Sequence, residues 1–184
     1  MKPYGTIIPN LEIDGKKVEY PVINERGVRA TAGFMLLIGV ITFFVIQTTG
    51  NYLLLNITVV LFWLDFALKT FIHPKASFFN HIGEMLVANQ KPEYVGAIQK
   101  RFAWGIGFVL ASSMIIIALL LKIRGLLPIS ICMTCFFFMW MESALGICVG
   151  CKIYTLLLNK KILPEPQQRP ACPGGVCSVD FNKK

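Results

Sequence analysis

The residues of this chain that could do chemistry concentrate in one stretch, Trp140-Met141-Glu142-Ser143-Ala144-Leu145-Gly146-Ile147-Cys148-Val149-Gly150-Cys151-Lys152-Ile153-Tyr154. It sets a carboxylate inside an apolar run, then places two cysteines, two glycines and a lysine where that run meets charge. An ionisable group in hydrocarbon is costly and points to function by default. A Cys-x-x-Cys can close a disulfide, exchange with another thiol or hold a soft metal. A neighbouring lysine favours its reactive thiolate form, while carbonyls at a helix C-terminus oppose it. Gly146 and Gly150 ease a break in the helix and allow backbone or ligand to come close. The competing reading is that Cys148 and Cys151 pack as small apolar side chains.

The remaining cysteines form two more pairs, Cys132/Cys135 and Cys172/Cys177. Cys132 and Cys135 fall in the outer part of the last apolar run, where simple packing is the first reading. On one continuous helix Cys135 would lie thirteen residues, about 20 Å, from Cys148. Direct exchange needs sulfurs in contact, so a relay between these pairs requires a carrier or a large movement. Cys172 and Cys177 follow a proline-rich stretch, Leu163 to Pro170, that reads as an extended linker. A tether of that length can bring them back to Cys148 and Cys151 as mobile thiols. Thiol exchange, sulfane-sulfur transfer, or Zn or Cu(I) shared on four thiolates are then open, as is an incidental tail.

The elements that position these groups follow from composition. The chain has 184 residues, is 55% hydrophobic and carries a net charge of +8. Residues 30–49 and 102–121 contain no charged side chain, and each would make about 30 Å of helix, the thickness of bilayer hydrocarbon. Residues 52–72 are interrupted only by Asp65 and Lys69, and residues 126–151 only by Glu142. The expectation is an all-α integral membrane protein, a four-helix bundle with spans at about 30–49, 52–72, 102–122 and 126–151. Residues 1–23 form a short hairpin whose arms, 7–13 and 17–23, flank Asp14-Gly15. Residues 24–157 form the membrane domain, with Asn24 as a helix cap and Glu25 placed to suit the helix dipole. Ser77 caps an interfacial helix over about 77–89, and residues 158–184 form a flexible tail.

Sixteen basic residues lie on one side of this arrangement and two, Lys122 and Arg124, on the other. That bias predicts both termini in the cytoplasm and the bacterial inner membrane as the location. The first apolar run begins after some thirty mixed residues, so no cleavable signal peptide is expected. The basic residues are not interleaved with aromatics as a nucleic-acid surface requires. Oligomeric state leaves no trace in the sequence. His73 and His81 are single and separated, and read as surface hydrogen-bonding groups.

Two segments, Trp63-Leu64-Asp65-Phe66-Ala67-Leu68 and Trp140-Met141-Glu142-Ser143-Ala144-Leu145, share the pattern Trp-apolar-acid-x-Ala-Leu. Each lies in the second helix of a hairpin, and each hairpin is preceded by arginine, Arg29 or Arg101. Two hairpin repeats related by an axis along the membrane normal are expected, with Asp65 and Glu142 as buried acids. Asp65 and Lys69 are spaced to pair along one helix. Arg26, Arg29, Lys100 and Arg101 enter the membrane at the same side. They either line an anion pocket or form a structural ionic network.

The motifs Val22-Ile23-Asn24-Glu25-Arg26-Gly27-Val28-Arg29, Leu64-Asp65-Phe66-Ala67-Leu68-Lys69, Lys100-Arg101-Phe102-Ala103 and Gly146-Ile147-Cys148-Val149-Gly150-Cys151-Lys152-Ile153-Tyr154 resemble, in order, those of an uncharacterised bacterial four-helix membrane family, a domain-of-unknown-function family. The resemblance covers about residues 20–157. Lys69 departs from it where arginine is expected, and Cys132, Cys135 and the tail cysteines lie outside it. It implies the fold and membrane location, and an association with thioredoxin-like and sulfurtransferase partners.

The leading expectation is a protein of thiol redox or sulfur handling. Cys148, Cys151, Glu142 and Asp65 would be catalytic, and Arg26, Arg29, Lys69, Arg101 and Tyr154 would bind substrate. The alternatives are a small transporter or channel for an anionic sulfur compound, or a non-catalytic membrane scaffold. Four-helix thiol:quinone reductases also carry a cysteine pair near the outer end of the fourth helix. They rely on outer-loop cysteines that the four-residue first turn here lacks.

Overall fold

The structure, a computed structural model, describes residues 4–13, 16–164 and 166. Strands β1 (Glu12–Ile13) and β2 (Lys16–Lys17) pair as a minimal antiparallel hairpin. The hairpin continues beyond these strands, with the Val18 N–H on the Leu11 carbonyl and Thr6 paired to Val22. Val22–Asn24 forms strand β3, which leads into α1 (Glu25–Thr49). Asn24 caps this helix, its side-chain oxygen accepting from the Arg26 N–H at 3.2 Å. Gly50, in the left-handed region at φ 65°, ends it. Helix α2 (Leu53–Ala67) runs back and continues through a widened turn, Leu68–Ile72.

Ser77 then caps the short helix α3 (Phe78–Leu86), accepting from the Asn80 N–H at 2.9 Å. Helix α3 is amphipathic, with Phe79, Asn80 and Gly83 buried while Phe78, Met85 and Leu86 are exposed. That is the pattern of a helix lying at a membrane surface. His73 and His81 bond locally, His73 accepting from the Lys75 N–H and His81 contacting the Ser77 carbonyl.

Strand β4 (Tyr94–Gly96) pairs antiparallel with β3, with Ile23 opposite Val95. Helix α4 (Ala97–Met114) follows and extends through a second widened turn, Ile115–Leu120. It begins five residues before the expected span, so Lys100 and Arg101 lie inside its first turns. Helix α5 (Leu126–Ala144) is the fourth crossing. The fourth span was expected to run to residue 151, but it stops at Ala144, and α6 (Val149–Asn159) starts afresh.

Four of these helices, Glu25–Thr49, Leu53–Ile72, Ala97–Leu120 and Leu126–Ala144, are long and apolar enough to cross a membrane. Their outer faces carry exposed Phe44, Leu53, Phe71, Val109, Leu126 and Phe137. Such a surface suits lipid, which gives apolar helices no reason to hide these side chains from it. Between helices, association rests on close approach and buried hydroxyls. Gly39 of α1 faces the Phe136 ring, Gly107 of α4 faces the Phe66 ring, and Thr42 bonds Thr58 at 3.0 Å.

The two halves have the same order, β3-α1-α2-α3 and β4-α4-α5-α6. Exchanging them maps one set of contacts onto the other: α1 packs on α5 as α4 packs on α2, and α3 lies on α1 as α6 lies on α4. The β3-β4 ribbon pairs the equivalent strands directly. This is the repeat that the Trp63 and Trp140 segments announce.

Candidate functional site

The site is built where α5 gives way to α6. The N–H groups of Leu145 and Ile147 both bond to the Met141 carbonyl, at 3.2 and 2.9 Å, and Gly146 between them sits at φ +66°. This is a glycine-terminated helix end, with the left-handed Gly146 turning the Ile147 N–H back onto the last turn. A Cβ at Gly146 would also overlap the guanidinium of Arg29. Gly146→Ala will therefore cost about 1–2 kcal/mol from the left-handed backbone alone. It will also displace Arg29, an effect visible as a lower unfolding midpoint in detergent.

Cys148 follows in extended conformation as the N-cap of α6, and its sulfur accepts the backbone N–H of Cys151 at 3.3 Å. This corrects the expectation of a cysteine pair beside the carbonyls of a helix C-terminus. The chain breaks at Gly146, so Cys148 lies at a helix N-terminus, where the peptide dipoles favour negative charge. Gly150 lets α6 settle on α4, because a Cβ there would lie only 2.5 Å from that of Ala103. Cys148 and Cys151 are both buried.

Beneath the pair lies Lys100, 1% exposed. Its ammonium is 2.8 Å from the Glu25 carboxylate and donates to Glu142. Arg29 approaches the other oxygen of Glu25 at 3.4 Å. Two acids and two bases thus stand together beneath the pair. The Cys151 thiol is held well above the usual thiol range by its hydrogen bond to Cys148 and by burial, with Lys100 pulling the other way. Cys148 and Cys151 both lie within electrostatic reach of Lys100.

Asp65 does not belong to this cluster. It is paired with Lys69 at 2.5 Å and accepts from the Ser77 hydroxyl, and all three side chains are buried. Lys69 does not extend toward water; it lies against the rings of Phe66 and Trp104. Arg26 is also elsewhere, on Glu93 at 2.5 Å and Gln90 at 3.1 Å. Arg101 stacks on Tyr4 and donates to the Thr70 carbonyl at 2.8 Å. The phenol of Tyr4 donates to the Lys69 carbonyl, and burial pushes its proton affinity up against the opposing charge of Arg101. Tyr154 is buried in α6 against Phe102, and desolvation likewise raises its phenol. Of the expected site residues, then, the structure gathers Glu142, Arg29, Cys148 and Cys151. It leaves Asp65, Lys69, Arg26 and Arg101 in separate contacts. Cys172 and Cys177 lie outside the described residues.

The two halves carry matched joints. Ser77 caps α3 and holds Asp65 with its lysine, while Cys148 caps α6 beside Glu142 with its lysine. Only the second is equipped with sulfur.

The sequence profile of the family described as Domain of unknown function (DUF4395) matches residues 23–159, from β3 to the last residue of α6. The chain belongs to this family. The DUF4395 region contains Glu25, Arg29, Lys100, Glu142, Cys148 and Cys151, and excludes the β1-β2 hairpin and the tail cysteines. The chain matches no curated protein and no solved structure.

Two members of the DUF4395 site escape a reading by motif alone. Glu25 looks like a first-turn acid suited to the dipole, and Lys100 looks like a boundary charge next to Arg101. Helical phase separates them. Ala97, Lys100, Trp104 and Ala111 form the buried stripe of α4, as Glu25, Val28, Thr31, Met35 and Thr42 do on α1. Arg101 is off that stripe, one residue and about 100° away. Among the described residues no group of three or more His, Cys, Asp or Glu is placed to hold a metal ion. A Zn or Cu(I) site would draw on thiolates of the tail.

Proposed function

We propose that this DUF4395 protein handles thiol redox or sulfur in the bacterial inner membrane, with its ribbon end and both termini toward the cytoplasm. Cys148 is the attacking sulfur and Cys151 the resolving one. The observation that carries this reading is the place of Cys148: a helix cap whose sulfur accepts a backbone N–H, beside the buried ammonium of Lys100. A helix N-terminus and a nearby ammonium both favour the thiolate over the thiol.

In the forward step the Cys148 thiolate attacks one sulfur of a partner disulfide. A mixed disulfide forms and one partner thiolate leaves. Cys151 then gives its proton to that thiolate and attacks the Cys148 sulfur. The Cys148–Cys151 disulfide closes, and the partner departs with both thiols reduced. A thioredoxin-like protein or a sulfurtransferase is the kind of partner this chemistry suits. Glu142, Glu25 and Arg29 act here through Lys100, by holding it in place.

Transport of an anionic sulfur compound fits the interior less well. Among the described cations lining the cavity of the bundle, Lys69 and Lys100 already face carboxylates, and Arg124 stacks on Tyr52. At Lys69 or Lys100 an anion would have to share the cation with a buried carboxylate.

The test is a thiol map in membranes. After exposure to an oxidised dithiol, Cys148 and Cys151 should be recovered as a disulfide that reductant reverses. Cys151→Ser should trap a mixed disulfide on Cys148, and Cys148 should be alkylated before Cys151 in the reduced protein. Recovery of both as free thiols after oxidation would overturn the reading.

A further inference from the structure

A cavity of about 250 Å³ lies inside the bundle, lined by α1, α2, α4, α5 and α6. Along α1 its lining runs from Val28 to Gln47, nineteen residues or about 28 Å of helix, so the space is long and narrow. Its middle is hydrocarbon and aromatic, with Met35, Val59, Phe62, Leu110 and Phe136. Its ribbon end presents Lys100, Asn80 and Cys148; its other end presents Tyr52 and Arg124. Cys132 and Cys135 also line it.

Cys132, Cys135 and Cys148 therefore open on one space, with Cys151 packed behind Cys148. Cys135 lies nine residues before the end of α5, about 13 Å of helical rise. Electrons can pass between the pairs only on something that fits the space separating them. The occupant needs an apolar body for the middle and an oxygen that accepts from Lys100 or Asn80. It must also take two electrons from a dithiol. A lipid acyl chain meets only the first condition.

We propose that the cavity is a binding site for a lipid-soluble two-electron carrier of the quinone class. The inference rests on Cys148 and Cys151 being the working dithiol. At the ribbon end one S–S bond forms between Cys148 and Cys151 as both S–H bonds break. The two electrons and two protons reduce the two carbonyls of the quinone to the quinol. Cys132 and Cys135 reduce a second quinone in the same way, one S–S bond forming between them as both S–H bonds break. The carrier reaches Cys132 and Cys135 from inside the bundle, so this arrangement requires no outer-loop cysteine.

The test uses the full chain in lipid nanodiscs, with Cys172→Ser and Cys177→Ser to silence the tail. The probe is decylubiquinone, whose fully substituted ring forms no thioether adducts. Reduced protein should convert about two equivalents per chain, one for each dithiol. The Cys148→Ser/Cys151→Ser and Cys132→Ser/Cys135→Ser variants should each convert half as much, and the variant lacking all four none. That last variant should still show saturable quenching of tryptophan fluorescence, since Trp104 lines the cavity. Two results would overturn the proposal: quenching no stronger than that by a redox-inert fatty acyl chain, or quinone left unreduced while a soluble disulfide still oxidises Cys148 and Cys151. The second result leaves the dithiol reading standing. Failure of both oxidants removes the dithiol reading itself.

Discussion

Lys100→Met will destabilise the bundle by roughly 3–5 kcal/mol, the range for breaking a buried ion pair from one side. Lys100 is the cation that Glu25 and Glu142 share, and the side chains of Lys100 and Glu25 are nearly sealed from solvent. Without the ammonium, two carboxylates face each other across the space it filled. The triple variant Glu25→Gln/Glu142→Gln/Lys100→Met leaves only the partly exposed Arg29 without its carboxylate and should recover most of the loss. Unfolding by SDS titration in mixed micelles measures both. A loss below about 1 kcal/mol for Lys100→Met would mean that the cluster is solvated and behaves as a surface pair. The triple variant also isolates chemistry from stability: folded but lacking Lys100, it should alkylate more slowly at Cys148 than the parent.

Asp65→Leu should cost a similar amount, roughly 3–5 kcal/mol, because it strands Lys69 among Phe66 and Trp104. Asp65→Leu/Lys69→Met removes both charges and should lie close to the parent in stability. Its decisive readout is the thiol map. The Asp65 contacts are with Lys69 and Ser77 and none is with the cysteine cluster. Disulfide formation between Cys148 and Cys151 should therefore persist in the double variant. Loss of that disulfide in a protein of parental stability would return Asp65 to the working site.

Much of this architecture is legible in the sequence, because its determinants are local. Uncharged twenty-residue runs announce helices that cross a membrane, Asn24 and Ser77 announce caps, and the Asp65–Lys69 spacing announces its own pair. What escapes the sequence depends on distant partners. The run from Leu145 to Gly150 is apolar and reads as continuing helix. It stops where Gly146 turns left-handed, and only glycine fits there because the guanidinium of Arg29, more than a hundred residues earlier, occupies the space a side chain would need. Val22 closes the local hairpin on Thr6, but its second pairing, with Gly96, and that of Ile23 with Val95 join segments some seventy residues apart. The choice between Lys100 and Arg101 is made by helical phase, which a charge count along the chain does not register.

The matched caps at Ser77 and Cys148 have a consequence for how reactivity enters such a bundle. On one side a hydroxyl completes the seam where a surface helix docks; on the other a thiol occupies the same post. The scaffold needs the seam in both halves, whereas the thiol exchange proposed above would use only one. On that proposal a single-atom difference, oxygen or sulfur, separates a seam that merely closes from one that would also react.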